Sequence, residues 1–463
     1  MTAFDASTIA ALERAVGPAH LRIGEQVELL DPGWHPDNLK AGIVAAPVSV
    51  EAVGALVAVC REHGIGLVPQ GGRTGLVGGG ISRPGEVVLS TANLNRIEID
   101  PVTRIAVAET GVTLEKLQGA AREFGLQPGI DTPSRGSATI GGMVSTNAGG
   151  MMAFRNGVMR HQVLGIEAVL ADGSVYSDLT RVVKNSAGYD LKHLFIGAEG
   201  TLGIVTKVAL KLEPVPRANA TALFGLPSIA AVLDIIRRAL DTGTGSLRAA
   251  EALWQSFFHL TSTAQGFRDA GLDPTHPIYL LLSLGGEEEA PLRAAFERLF
   301  EDALTLYPDA TGLVAASARQ EQDLWRLRED TDSMYRAYPA APSYDVSIPL
   351  SRVAAYSEQV LAGLQAIDPA LNPLMFGHLA DGNLHIVLSR PGPLPPELVG
   401  PVEAVLYRDL APAGGSFSAE HGVGTKRIHA LLAAADPTKL ALMRQIKALL
   451  DPTGVFNPGK LLG

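Results

Sequence analysis

Apolar positions along this chain switch between a helical and a two-residue spacing, and the switch points outline its elements. Val53, Leu56, Val57 and Cys60 recur at i, i+3, i+4 and i+7, which predicts an amphipathic helix over 50–61. A second helix is predicted over 114–124, with Thr113 as its N-cap and Gly125 just past its end. The runs 163–170 and 174–177 flank Ala171-Asp172-Gly173, a hairpin signal. Residues 201–212 alternate like a half-buried strand. Residues 1–35 read as a helical extension that ends at the turn-rich Asp31-Pro32-Gly33.

The alternation of β-branched runs and helical patterns stops at Glu213-Pro214-Val215-Pro216, which marks a domain boundary. Beyond it, helical patterns at 228–240, 291–304 and 351–364 mix with strand patterns at 278–284, 344–348, 374–378 and 384–388. The simplest arrangement is an α+β module with helices against one face of an antiparallel sheet. A last helix is predicted near 439–450. The expected division is therefore 1–35, 36–214, 215–410 and 411–463.

Composition narrows the class. At 463 residues the chain is too long for one ordinary core. With 46% hydrophobic and 19% charged residues it is not a disordered chain. A net charge of −10 and only 5% aromatic residues argue against a general nucleic-acid binder. The single Cys60 excludes an internal disulfide framework, a four-cysteine zinc site and a self-contained iron–sulfur cluster. Its apolar neighbours Val57, Ala58 and Val59 predict a buried, inert thiol. No basic stretch leads into an apolar one near Met1, and the apolar run 220–233 is shorter than the ~20 residues a spanning helix needs. The expectation is a soluble, cytoplasmic protein.

With 50 Gly and 30 Pro the chain has a surplus of turn formers, and the glycines cluster. Pro69-Gln70-Gly71-Gly72-Arg73-Thr74-Gly75-Leu76-Val77-Gly78-Gly79-Gly80 lets backbone N–H groups converge on an anion such as a phosphate or pyrophosphate. No Gly-Lys-Ser/Thr follows, so it is not a Walker loop. Arg83-Pro84-Gly85 follows in place of a helix, so it is not a Rossmann fingerprint either. The run 137–150 sets small residues and hydroxyls around Ile140, Met143 and Val144, a lining suited to a large planar ligand. A third run covers 197–204. One such run alone reads as a flexible surface loop, whereas three within one domain point to a dinucleotide cradle.

Metal chemistry is suggested by His378-Leu379-Ala380-Asp381-Gly382-Asn383-Leu384-His385. A four-residue turn at 380–383 would pair Leu379 with Leu384 and set His378 directly across from His385. Cross-strand Cβ atoms lie ~4.5–5.5 Å apart, so both imidazoles could chelate one ion. A lone histidine pair is more often structural. Ser418-Ala419-Glu420-His421-Gly422-Val423-Gly424 adds a carboxylate and a third imidazole. Two histidines and one carboxylate with an open position describe a catalytic zinc or a non-haem iron site.

Together with Lys184-Asn185-Ser186-Ala187-Gly188-Tyr189-Asp190, the stretch 194–206 and the terminal Leu450-Asp451-Pro452-Thr453-Gly454-Val455-Phe456-Asn457-Pro458, these motifs resemble the FAD-linked D-2-hydroxyacid dehydrogenases of the vanillyl-alcohol-oxidase superfamily. The likeness is to the D-2-hydroxyglutarate and D-lactate dehydrogenase types and covers about residues 35–463. It implies an α+β fold: a two-subdomain FAD-binding domain of the vanillyl-alcohol-oxidase (PCMH) type, completed by the C-terminal tail, plus a ferredoxin-like antiparallel-sheet cap domain. Pro69, Gly71, Gly72, Arg73, Thr74, Gly75, Leu76 and Gly79 would cradle the pyrophosphate. Ser137, Thr139, Gly141, Gly142, Ser145, Asn147, Ala148 and Gly149 would line the adenine and isoalloxazine halves with Glu199, Gly200, Gly203 and Ile204. Asn457 would lie near the ring. Some relatives attach the flavin through a histidine or cysteine; the loop here carries Arg73 and neither of those, so the FAD is expected to be non-covalent.

The resemblance also maps a divalent metal onto His378, His385 and Glu420, with zinc first and manganese or iron as alternatives. That ion would grip the α-hydroxyl and one carboxylate oxygen of a 2-hydroxyacid. His421 would take the hydroxyl proton while the Cα hydride moves to flavin N5. Arg328, in Leu327-Arg328-Glu329, matches the carboxylate-binding arginine, with Arg326 as a fallback. Asn383, Ser343 and His421 complete the implied substrate set.

The sequence departs from this pattern at three places. Many hydroxyglutarate-type relatives carry Lys at Ser343, Asn at Val387 and Thr at Asp332, and the loss of polar partners weakens the case for a second substrate carboxylate. Electrons would pass to an external acceptor such as an electron-transfer flavoprotein, a quinone or a cytochrome, with a homodimer as a candidate assembly. The alternative within the class is an oxidase of glycolate or another 2-hydroxyacid that uses dioxygen. Outside it stand a zinc hydrolase built on His378, His385 and Glu420, and a flavin-binding protein without turnover.

Overall fold

The computed structural model describes residues 4–463; residues 1–3, the start of the expected N-terminal extension, lie outside the described residues. The chain divides into two compact units. The first comprises the residues up to Gly150 with Asn156–Val215 and Glu420–Gly463; the second comprises Met151–Arg155 and Pro216–Ala419. The chain thus leaves the first unit for the long middle segment after Val215 and returns at Glu420, beyond the edge expected at 410/411.

The first unit holds two sheets. Strands β1 (Leu21–Ile23), β2 (Ile43–Ala45), β3 (Gly66–Gln70) and β4 (Glu86–Ser90) form a four-stranded sheet in the order β1-β2-β4-β3. The β2/β4 and β3/β4 pairs are parallel, while β1 runs antiparallel to β2. The helix Val50–Glu62 lies against it with Val53, Leu56, Val57 and Cys60 buried, the stripe its spacing predicts. Ser49 caps that helix by accepting from the Ala52 N–H at 3.3 Å. The Cys60 thiol is fully buried, and burial pushes it up to about 12, which leaves no thiolate for chemistry.

The N-terminal segment is not an extension. Its helix Ala6–Val16 places Leu12 and Val16 in the same core, and β1 closes the edge of the sheet. The reason is local: Leu12 and Val16 are four residues apart and share one face, and Leu21 continues that apolar surface into the strand.

Strands β5 (Ile97–Asp100), β6 (Ile105–Glu109), β7 (Leu126–Pro128), β8 (Val163–Val169), β9 (Val175–Asp178) and β10 (Ile204–Pro214) make the second sheet, ordered β5-β6-β10-β8-β9 with β7 also paired to β10. The C-terminal tail joins the first sheet beside β3. The Leu67 N–H donates to the Val455 carbonyl at 2.7 Å, the Asn457 N–H donates back to the Leu67 carbonyl at 2.8 Å, and Phe456 is fully buried.

The second unit is built on one antiparallel sheet of β11 (Ala218–Leu226), β12 (Ser246–Trp254), β13 (Ile278–Gly286), β14 (Thr311–Val314), β15 (Ser343–Ser347), β16 (Asn372–His378) and β17 (Asn383–Ser389). Its order is β14-β11-β13-β12-β16-β17-β15. The first four of these, with the helices Ile229–Leu240 and Glu289–Leu306, make the ferredoxin-like βαββαβ arrangement, which β16, β17 and β15 widen.

Helices cover both faces of this sheet, not one. Phe224, Leu280, Leu282 and Ile386 pack with Ile235, Phe296 and Val360 on one side. Leu223, Leu253, Tyr279, Leu281 and Phe376 pack with Phe257, Leu324 and Leu327 on the other. Strands buried on both faces read as continuous apolar runs, so the alternation that marks a one-faced sheet is missing. No helix among the described residues is long and apolar enough to cross a membrane.

Candidate functional site

The glycine-rich loop after β3 stays irregular through Gly80, and among the described residues none of the backbone N–H groups from Gly71 to Gly80 donates to a protein acceptor. Backbone donors are rarely left unpaired in this number without a ligand or water to satisfy them. The loop is held close to 137–139: a Cβ on Gly72 would fall 1.8 Å from the Ser137 carbonyl oxygen, and one on Gly71 would fall 2.0 Å from Thr139 Oγ1. Thr139 itself caps the short helix Ile140–Thr146 by accepting from the Gly142 N–H at 3.3 Å. Arg73 is turned aside, its Nε donating to Gln70 and an Nη to the Asp31 carbonyl, both at 2.8 Å.

Each segment expected to touch the flavin contains a non-glycine residue in the left-handed region: Arg73 at φ +57°, Asn147 at +53°, Glu199 at +51° and Asn457 at +42°. Such conformations persist where the surroundings over-determine them, commonly at binding sites. Glu199 shows how. Its carboxylate accepts from the N–H groups of Val423 and Gly424 at 2.7 Å each, and its carbonyl accepts from Asn457 Nδ2 at 2.8 Å. Burial raises its pKa, against the two backbone donors. The Glu199 side chain is therefore a tie that anchors the 420–424 loop.

Asn457 Nδ2 also donates to the Gly79 carbonyl at 3.0 Å, while its Oδ1 is buried without a partner. Thr110 Oγ1, packed beside Gly141, is likewise buried and unpaired. Open backbone donors, crowding glycines and orphaned acceptors fit a large polar cofactor along this surface.

In the second unit the hairpin β16–β17 turns through 379–382, one residue earlier than expected. His378 pairs with Asn383 and Phe376 with His385, so the histidines are diagonal rather than directly opposed. A slip of two positions keeps both on the same face, and their rings lie 5.3 Å apart, edge to face. Gly382 at φ +80° lets the chain turn there, and the Asn383 amide fixes the first strand residue by donating to Asp345 Oδ1 at 2.7 Å and the Val346 carbonyl at 3.0 Å.

A buried carboxylate stands behind each histidine. Glu251 on β12 pairs directly with His378, and Asp345 on β15 pairs directly with His385. Glu251 Oε1 is 2.7 Å from His378 Nδ1, and Asp345 Oδ1 is 3.5 Å from His385 Nδ1. Glu251 Oε2 accepts from Arg328 Nε at 2.6 Å. Burial works against the charged form of Glu251, but His378 and Arg328 outweigh it and hold the carboxyl at about 2. Arg328 lies on the helix Ala318–Glu329 with its guanidinium 4.8 Å above the Phe376 ring.

The remaining candidates divide by unit. Glu420 and His421 are half-buried in the first unit, where a Cβ on Gly149 would fall 2.6 Å from Glu420 Oε1. His378, His385, Arg328, Asn383 and Ser343 belong to the second. Ser343 pairs with the buried Val387, and Asn383 Oδ1 is buried without a hydrogen bond. Arg326 is exposed beside Asp323 and has no place in this cluster. Glu251 escaped the sequence reading because Ser246–Trp254 carries the helix formers Ala, Glu and Leu and shows no strand pattern.

Residues 41–178 match a family described as an FAD binding domain, and residues 215–461 match the C-terminal domain of FAD linked oxidases. D-2-hydroxyglutarate dehydrogenase of Xanthomonas citri pv. viticola is 36% identical over 437 residues, covering 92% of this chain and 90% of the relative. The mitochondrial D-2-hydroxyglutarate dehydrogenase of Bos taurus is 34% identical over 462 residues, covering 98% and 83%. Among solved structures, p-cresol methylhydroxylase with substrate bound superposes with a TM-score of 0.76 at 18% identity, over 98% of this chain and 96% of that one. Alkyldihydroxyacetonephosphate synthase reaches 0.73 at 16% identity, over 99% and 85%. The structural matches carry the fold alone.

Fold and site together define an FAD-containing oxidoreductase of the PCMH type. More narrowly, the chain belongs to the FAD-linked D-2-hydroxyacid dehydrogenases of the vanillyl-alcohol-oxidase superfamily.

Proposed function

We propose that this enzyme oxidises a D-2-hydroxyacid to the 2-oxoacid with help from a divalent metal, acting in the cytoplasm and passing electrons to an external acceptor. The observation that carries the reading is the buried His378–Glu251–Arg328 cluster, with His385 beside it, in a chain whose relatives are named D-2-hydroxyglutarate dehydrogenases. His378 and His385, with Glu420 as the third ligand, would hold the ion. Bound metal would supply Lewis acidity toward the substrate hydroxyl, and bound FAD would accept the hydride. Arg328 would bind the substrate carboxylate. His421 would take the hydroxyl proton, and Asn383 and Ser343 would contact the substrate.

Neither Ser343 nor Val387, which face each other across β15 and β17, brings a cation for a second carboxylate. That supports a monocarboxylic substrate of the D-lactate kind alongside D-2-hydroxyglutarate. The deciding measurement is turnover of D-2-hydroxyglutarate, D-lactate, D-malate and glycolate with a dye acceptor, before and after chelator. A D-acid is expected to reduce the dye, with activity lost on chelation and restored by zinc or manganese. Turnover unchanged in verified metal-free protein would remove the metal from the reading, and failure of every D-acid would remove the reaction.

The loop 69–80 contains no histidine or cysteine, which supports non-covalent FAD. Acid precipitation is expected to leave the flavin in the supernatant. Yellow colour retained in the washed pellet would show a covalent link.

A further inference from the structure

We propose that Glu251 is a positioning residue that orients His378 and Arg328 together, so that a metal ligand and a carboxylate-binding group are aimed by one carboxylate. This rests on the reading of His378 as a metal ligand and Arg328 as the substrate-carboxylate residue. Glu251 is 1% exposed, and each of its oxygens accepts one short hydrogen bond, from His378 Nδ1 at 2.7 Å and from Arg328 Nε at 2.6 Å.

A carboxylate can only accept, so the bond to His378 requires the proton on Nδ1, and in the neutral ring Nε2 is then the nitrogen whose lone pair an ion would take. Carboxylates behind metal-bound imidazoles have this effect generally, and their loss typically weakens metal binding 10–100-fold. On the other oxygen, Glu251 takes only the Nε corner of the guanidinium. Among the described residues Arg328 has no further hydrogen-bond partner, and Phe376 supports its face, so both Nη groups remain for a second carboxylate.

The placement is a property of the sheet. Glu251 and His378 are direct cross-strand partners, with side chains on the face that Leu253 and Phe376 share. The helix carrying Arg328 packs on that same face through Leu324 and Leu327. The pattern repeats on the other side of the hairpin, where Asp345 on β15 stands directly across from His385. The two carboxylates thus come from β12 and β15, the strands on either side of the β16–β17 hairpin.

Glu251→Gln is the discriminating variant because it keeps the shape and offers one acceptor and one donor. The amide can accept from His378 or from Arg328 but not from both. Purified, flavin-loaded E251Q is expected either to bind zinc about 10–100-fold more weakly in competition with a fluorescent chelator or to show a raised KM for the 2-hydroxyacid with a smaller change in kcat. Thermal melting and the flavin spectrum report that the fold is kept. If E251Q does not fold, the E251Q/R328M double variant removes the guanidinium left without its partner and carries the zinc measurement. A folded E251Q with zinc affinity within about threefold of wild type and an unchanged KM would overturn the proposal. His378→Ala separates the two levels: if it too binds zinc as wild type does, the metal reading has failed. If it loses zinc while E251Q keeps it, only the role of Glu251 has.

Discussion

His378→Ala is expected to lower kcat/KM for the best D-2-hydroxyacid by about three orders of magnitude, with flavin content unchanged. Lewis-acid activation of a hydroxyl is worth several kcal/mol, and ~4 kcal/mol corresponds to roughly a thousandfold in rate. The segments expected to hold the flavin belong to the first unit and His378 to the second, so flavin content is the check that the substitution spares the cofactor site. Glu251 keeps Arg328 as a partner in the variant, so no buried carboxylate is left wholly unpaired. His385→Ala should cost as much, and the double variant little more than either, because two residues that hold one ion, as proposed, would act as a unit. Steady-state kinetics with the flavin absorbance as an occupancy check decides the matter. A loss below about tenfold in both single variants would remove the metal site from the mechanism.

Gly72→Ala is expected to yield a folded protein with at least tenfold weaker FAD binding. The added methyl would sit 1.8 Å from a backbone oxygen, that of Ser137, which no rotamer change can move. The loop must shift, and ~2 kcal/mol of strain already exceeds a tenfold change in affinity. Because that loop holds the run of unpaired N–H groups from Gly71 to Gly80, the shift would spread to the donors available to a pyrophosphate. Gly119→Ala, in a helix with nothing within 4 Å of its new methyl, is the control and should keep full flavin content. The 450 nm to 280 nm absorbance ratio of the purified proteins reads both. G72A that retains wild-type occupancy and FAD affinity would show that this loop does not cradle the cofactor.

Elements whose stability comes from one amphipathic face were legible in the chain. The helix Val50–Glu62 shows its buried stripe at the spacing of its apolar residues, and β8 and β9 flank their Asp-Gly turn. Strands buried on both sides were not legible in the same way. Ala218–Leu226 runs into an apolar stretch at Ala222–Leu226, and Ser246–Trp254 is rich in helix formers; both are strands because β13 pairs with each of them. The one-faced sheet and the N-terminal extension failed for a related reason, since the partner that covers a surface is distant in sequence.

The same line divides the site. The residues themselves, the glycine loop, the two histidines around a turn and the Glu420-His421 pair, stand out in the sequence because turn chemistry and ligand chemistry are local properties. The hairpin's register was missed by two positions, yet the shared face survived because side chains alternate with period two. What only the tertiary structure decided is which carboxylates stand behind those histidines. Glu251 reaches His378 across 127 positions of chain and Arg328 across 77. No local pattern marks such a residue: its ionised state exists only where strand pairing and helix packing bring a guanidinium and an imidazole N–H against one fully buried carboxylate.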